Sequence, residues 1–221
     1  MKSIPMDQLD EYEQGENVRK WLRQNGASLI TGIALGLVCV FGWQWWHGKG
    51  ERHRAEAATQ FVAFSQAIDA KDETKIKTFA AVIAEKYADT AYVSLATLRH
   101  SGYLQQQGKT ADAIKLLEAG LPKVTEPEMV ELFNLRLGRM LLLDGKADLA
   151  LKRVDSIKTP IFPAVAQELR GDVEVALGHT DNARKAYEQA LTTLDQASPT
   201  RRVLELKLID VGGNPPAQPE T

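Results

Sequence analysis

Hydrophobic and polar positions alternate on two different scales along this chain. Between Arg23 and Lys49 there is no formally charged residue, and inside that gap Ala27–Trp46 (ASLITGIALGLVCVFGWQWW) is predominantly apolar. At 1.5 Å per helical residue, such a stretch spans about 30 Å, the thickness of a bilayer's hydrocarbon core. The pattern predicts one transmembrane helix over residues 27–46. Trp43, Trp45 and Trp46 gather at its C-terminal end, where amphipathic rings favour the headgroup layer, with Lys49, Arg52 and Arg54 just beyond. A buried core helix is the first alternative, but a charge-free run of this length is rare in a soluble core. A cleaved signal peptide is the second, and it would need a shorter apolar core and small residues at a cleavage site rather than Gly-Trp-Gln-Trp-Trp. The expectation is therefore an uncleaved anchor.

Beyond Trp46 the apolar spacing changes to threes and fours, β-branched runs are few, and Ala, Leu, Lys, Glu and Gln dominate. That is an all-α composition. Three segments share one template. Aligning SGYLQQQGKTADAIKLLEAGL from Ser101, GRMLLLDGKADLALKRVDSI from Gly138 and GDVEVALGHTDNARKAYEQAL from Gly171 brings Gly108, Gly145 and Gly178 into one column. Ala113, Ala150 and Ala183 form a second column, and Lys115, Lys152 and Lys185 a third. The glycines are 37 and then 33 residues apart, a period that marks an array of helical hairpins, each burying its apolar face by stacking on its neighbours. The Gly suits the left-handed residue that ends a first helix. The Ala marks where the second helix crosses the first, opposite small partners at Ser101, Gly138 and Gly171, and Leu117, Val154 and Tyr187 fill the space beside it. Small-to-small at this spacing followed by a bulky residue is the tetratricopeptide pattern; the competing reading is an ordinary helical bundle with chance glycines.

Upstream, Ala55–Ala70 and Lys75–Tyr87 predict a further hairpin without the full signature. Downstream, Arg201–Val211 predicts a closing helix, and the Pro-rich stretch from Gly212 to Thr221 reads as a disordered tail. The predicted organisation is a short N-terminal segment over 1–26, the transmembrane helix over 27–46, the repeat domain over 47–211 and the tail over 212–221.

Charge narrows the functional classes. Lys plus Arg number 27 against 29 Asp plus Glu, a net charge of −2, so there is no basic field to hold a nucleic acid. The single Cys, Cys39, lies inside the apolar run, which excludes intramolecular disulfides and Cys-based zinc sites. His47, His53, His100 and His179 show no metal-ligand spacing, and no phosphate loop, nucleophile elbow or Cys–base pair is present. The expectation is a non-enzymatic protein without metal or cofactor. Orientation stays open, because Arg19, Lys20 and Arg23 on one side of the anchor balance Lys49, Arg52 and Arg54 on the other.

Binding is what remains. Ser28, Gly32 and Gly36 recur at i, i+4 and i+8, a stripe of small residues on which another membrane helix could pack, although glycine is common in membrane helices anyway. First helices of tetratricopeptide hairpins line a concave groove. The register places Leu95, Leu98, Leu132, Leu135, Leu142, Val165 and Val175 there, with Arg139, Glu168 and Asp172 among them. Such a groove is apolar rather than basic and suits an apolar helix or extended segment, not an acidic tail. Two alternatives stand beside it: a register one position off, and a groove filled by the chain's own 201–211 helix.

With those residues in view, the chain resembles the YfgM family of ancillary SecYEG translocon subunits. The resemblance runs from about Val18 to Val211 and is carried by VRKWLRQNG before the anchor, AEKYADTAYVSLATL, RLGRMLLLDGKADLALKRVDSIKTP, ELRGDVEVALGHTDNARKAYEQAL and the closing LELKLID. It implies a bacterial inner-membrane protein with a cytoplasmic N-terminus and a periplasmic repeat domain. It further implies association with the SecYEG translocon and the chaperone PpiD, and a part in passing newly translocated client polypeptides to chaperones. The alternative is a membrane-anchored receptor with its repeats in the cytosol.

Overall fold

The computed structural model describes residues 6–215, and the side chains of 19–44 and 50–215. Among the described residues all regular structure is helical, with nine α-helices: α1 (Met6–Asp69), α2 (Glu73–Lys86), α3 (Ala91–Gln106), α4 (Thr110–Gly120), α5 (Pro127–Leu143), α6 (Ala147–Asp155), α7 (Pro163–Ala176), α8 (Thr180–Thr193) and α9 (Arg201–Asp210). The chain divides into two units, residues 1–56 and 57–221.

In the first unit, Arg19–Gln44 is long and apolar enough to cross a membrane, with an 18-residue window of mean hydropathy 1.9 that is nowhere buried in protein. Ile30, Ile33, Leu35, Val38 and Phe41 are all exposed, as befits side chains whose solvent is lipid. Nothing lies within 4 Å of a β-carbon built on Gly32 or Gly36, and Ser28 is exposed, so the small-residue stripe is open. Cys39 is a free, exposed thiol within it. Of the aromatic cluster, Trp43 is exposed; Trp45 and Trp46, like Lys49 and His47, fall outside the described side chains.

The second unit is built from the helical hairpins that the repeat columns predict. Gly108, Gly145 and Gly178 all have positive φ, from 72° to 78°. Each closes its helix with the same pair of bonds. The Gly108 N–H donates to the Gln105 carbonyl and the Lys109 N–H to the Leu104 carbonyl, and the pattern recurs at Gly145/Lys146 and Gly178/His179. This is the Schellman closure that a left-handed residue makes possible. Two further copies are absent from the sequence columns. Lys71, at φ 55°, closes α1, its N–H donating to the Ile68 carbonyl and the Asp72 N–H to the Ala67 carbonyl, and Gly212, at φ 76°, closes α9 with the Gly213 N–H donating to the Leu208 carbonyl. The upstream hairpin therefore carries the full turn without its glycine. Gly212 and Gly213, expected to open a disordered tail, instead end α9, with Gly213 buried; residues 216–221 of that expected tail lie outside the described ones.

Packing follows chain order. The part of α1 from residue 57 on, α3, α5 and α7 are the first helices of four hairpins completed by α2, α4, α6 and α8; α3 packs on α5 and α5 on α7, while α9 packs on α8 where a fifth first helix would begin. Ala113, Ala150 and Ala183 are fully buried at the crossings. The central core is formed by Leu117, Phe133, Leu137, Met140, Leu169 and Val173. Smaller clusters flank it, Phe64, Ile76, Ile83 and Tyr103 on one side, and Tyr187, Leu191, Leu204 and Leu208 on the other. A polar clamp ties two hairpins: Glu131, 4% exposed on α5, accepts from the Ile161 and Phe162 N–H groups at 2.6 and 3.0 Å. Those donors precede α7, whose N-terminal N–H groups have no helical partner, so the buried carboxylate completes them from across the interface.

Candidate functional site

Leu95 and Leu98 on α3 line a cleft of about 590 Å³ together with Phe61 and Ile68 from the C-terminal part of α1, Tyr103, and Arg136 from α5. Both leucines are positions that the tetratricopeptide register assigns to the groove. Phe61 and Ile68 belong to the hairpin whose turn carries no glycine, so no column pointed to them.

The other expected groove residues divide. Leu132, at the edge of α5, is partly exposed, and Val175 on α7 is 48% exposed. Leu142 and Val165 are half-buried against the central core, and Arg139 is also half-buried. Leu135 corrects the expectation: it is 2% exposed and belongs to the central cluster that α5 forms with α4, α6 and α7. Leu135 therefore cannot meet a ligand. Glu168 and Asp172 are already engaged. The Lys207 ammonium on α9 donates to Glu168 Oε1 at 2.7 Å and to Asp172 Oδ2 at 2.9 Å, and the Tyr187 hydroxyl donates to Asp172 Oδ1 at 2.8 Å. The chain's own last helix thus occupies the acidic end of the row, and leaves the α1–α3–α5 end open. Burial alone would lower the Lys207 pKa, but the bonds to Asp172 and Glu168 outweigh it and hold the ammonium charged. Burial, then Asp172, push the Tyr187 phenol up and keep it a neutral donor.

Charge in the open cleft follows from one broken repetition. Arg99 lies nine residues before Gly108 and bonds Asp69 Oδ1 at 2.8 Å, an aspartate two residues before the Lys71 turn. One repeat later Arg136 stands nine before Gly145, and the residue two before the Gly108 turn is Gln106. Both line the cleft. An amide in place of the carboxylate leaves Arg136 with no ion-pair partner among the described residues. Burial, then the nearby Arg139 guanidinium, lower its pKa, yet a guanidinium stays protonated at any physiological pH. The cleft therefore mixes apolar side chains with polar ones, among them the Asp69–Arg99 pair, Gln105 and Gln106, and holds one half-buried cation without a salt-bridge partner, a feature that pattern reading missed because it depends on residues 30 positions apart.

Two other depressions are smaller. One of about 360 Å³ lies between α2, α3 and α4, lined by Ala80, Ala84, Val93, Ala96, His100 and Leu116. One of about 440 Å³ between α7 and α8 is polar, with Gln167, Arg170, Glu174, Lys185 and Gln189. Among the described residues no group of three or more His, Cys, Asp or Glu is placed to hold a metal ion.

The tetratricopeptide repeat-like domain family matches residues 19–213. An ancillary SecYEG translocon subunit of Escherichia coli (strain K12) is 28% identical over 203 residues, covering 90% of this chain and 95% of that protein. A protein of the same name from Haemophilus influenzae is 25% identical, covering 82% of this chain and 89% of its own length. Another from Neisseria gonorrhoeae is 24% identical, covering 90% and 96%. No solved structure matches the chain.

Proposed function

The chain belongs to the tetratricopeptide repeat-like domain family and is homologous along most of its length to ancillary SecYEG translocon subunits, and from this we propose that it is a single-pass inner-membrane adaptor that holds a chaperone beside the translocon. The homology is to subunits of a translocation machine, not to enzymes, and the protein works by binding. The anchor carries the N-terminus on the cytoplasmic side and the repeat unit in the periplasm. Confinement by the anchor raises the local concentration of a PpiD-type chaperone around emerging client polypeptides, with no chemistry required. Within the bilayer, Ser28, Gly32 and Gly36 supply the face on which a translocon helix packs closely.

The observation that carries the binding role is the open cleft: Leu95, Leu98 and Phe61 beside Arg136, which has no salt-bridge partner among the described residues. Its chemistry selects an amphipathic segment, one that lays an apolar side chain on the leucines and gives Arg136 the carboxylate that Gln106 does not supply. Photo-crosslinkers placed at Leu95 and Leu98 in cells should yield chaperone adducts, and Arg136→Glu should lower that yield about tenfold, the cost of turning one attraction into repulsion. Undiminished adducts in a folded Arg136→Glu chain overturn the cleft reading. A crosslinker at Gly32 tests the translocon contact separately. A reporter fused after Thr221 and active only in the cytoplasm would place the repeats in the cytosol and reject the periplasmic role.

A further inference from the structure

The outward face of α9 has a symmetry of its own. In the helical projection, Arg202, Val203, Leu206, Ile209 and Asp210 share one stripe, i, i+1, i+4, i+7 and i+8, opposite the buried Leu204, Glu205 and Leu208. Val203, Leu206 and Ile209 are 53%, 48% and 49% exposed. Read outward from Leu206, the stripe is self-complementary under reversal: a β-branched apolar residue three positions to each side, then Arg202 on one side and Asp210 on the other.

The rest of the helix is committed. Arg201 pairs with Glu205 at 3.2 Å, and Lys207 reaches to α7. Arg202 makes only a long 3.9 Å approach to Glu205 with its side chain 75% exposed, and Asp210 has no ion pair among the described residues. This stripe also sits at the end of a repeat array, where a solvated terminal helix normally presents a polar surface. An apolar centre flanked by opposite charges is not that surface, and residues 216–221 (PAQPET) bring no large apolar side chain to cover it.

The geometry points to a second copy of this chain as the occupant, docked α9 against α9 in an antiparallel pair about a two-fold axis through Leu206. In that pair Leu206 meets Leu206 of the second copy, Val203 meets Ile209, and Arg202 meets Asp210 twice over, as an isologous interface requires. A ten-residue helix is about 15 Å long, and its face is small beside the roughly 800 Å² per partner of a standard stable interface. The association is therefore weak in free solution and favoured where anchors confine the copies to one membrane.

The test uses the full chain with Cys39→Ala, reconstituted in phosphatidylethanolamine–phosphatidylglycerol vesicles that hold no other protein, and oxidised with copper phenanthroline. Leu206→Cys should give a disulfide-linked dimer. Val203→Cys should link poorly to itself and well to co-reconstituted Ile209→Cys, because the antiparallel axis separates like positions other than 206. On the Leu206→Cys background, Arg202→Asp or Asp210→Arg alone should lower the dimer yield about threefold to tenfold, the scale of surface ion pairs replaced by like charges. Both together should restore it, since each pair is then reversed. These positions are exposed, and far-ultraviolet circular dichroism checks that each variant folds. A Leu206→Cys yield no higher than that of Glu188→Cys, an exposed site on α8, overturns the proposal. So does failure of the double reversal to restore linking, which leaves the face to a different protein. Neither result bears on the α3 cleft, which these vesicles do not probe.

Discussion

The Tyr187 ring of α8 packs against Gly171 on α7 with its Cδ1 and Cε1 atoms in the space that a β-carbon would take, while its hydroxyl donates to the neighbouring Asp172. Gly171→Ala must displace the ring and strain or break the Asp172 bond. A loss of about 1–3 kcal/mol is expected, as for other overpacked sites. At the equivalent Gly138 a β-carbon would meet the tip of Leu169 at 3.0 Å, a flexible neighbour, so Gly138→Ala should cost less. Denaturant unfolding of both variants followed by circular dichroism checks the order, and equal losses would contradict it.

Lys71 holds at φ 55° the turn position that glycine holds in the other closures. A β-carbon in the left-handed region costs about 1 kcal/mol. The exposed side chain makes no compensating core contact, so Lys71→Gly should raise the melting temperature by a few degrees. Gly108→Lys should lower it, and a fall in both variants would refute the strain.

Glu131 serves α7 from α5. Glu131→Ala leaves two N–H groups in a half-buried junction without an acceptor and should destabilise by about 2–3 kcal/mol. Glu131→Gln keeps an acceptor oxygen and should lose about half of that. Amide exchange at Ile161 and Phe162 reports the loss locally, and unchanged protection in Glu131→Ala would remove the clamp from the account.

Burial among Phe64 and Tyr103 lowers the His100 pKa; the Glu73 charge opposes this and the Lys109 charge adds to it. A depressed folded pKa means that the unfolded chain takes the proton first. The contribution is complete above the ordinary value of about 6.5 and is lost as pH falls through the folded pKa. Melting temperature should therefore fall between pH 7.5 and pH 5 more steeply in the parent chain than in His100→Phe. Parallel profiles would assign the slope to carboxylates instead.

Much of this architecture is written in local sequence. A charge-free apolar run determines a membrane-length helix because length and hydropathy suffice. The Gly108, Gly145 and Gly178 columns determine three turns because left-handed backbone is a property of one residue and its immediate neighbours. Lys71 and Gly212 make the same turn without announcing it, one lacking the favoured residue and the other standing beside prolines that read as a tail. Only the tertiary structure decided which leucines remain open. Leu95, Leu98 and Leu135 are assigned to one groove by the repeat register, yet Leu135 is buried in the central cluster that α5 forms with α4, α6 and α7. It also decided the charges, pairing Lys207 with Glu168 and Asp172 and leaving Arg136 opposite Gln106. Burial and ion pairing depend on which helix lies across from a residue, and in a stacked array that helix comes from a repeat some 30 to 40 positions away.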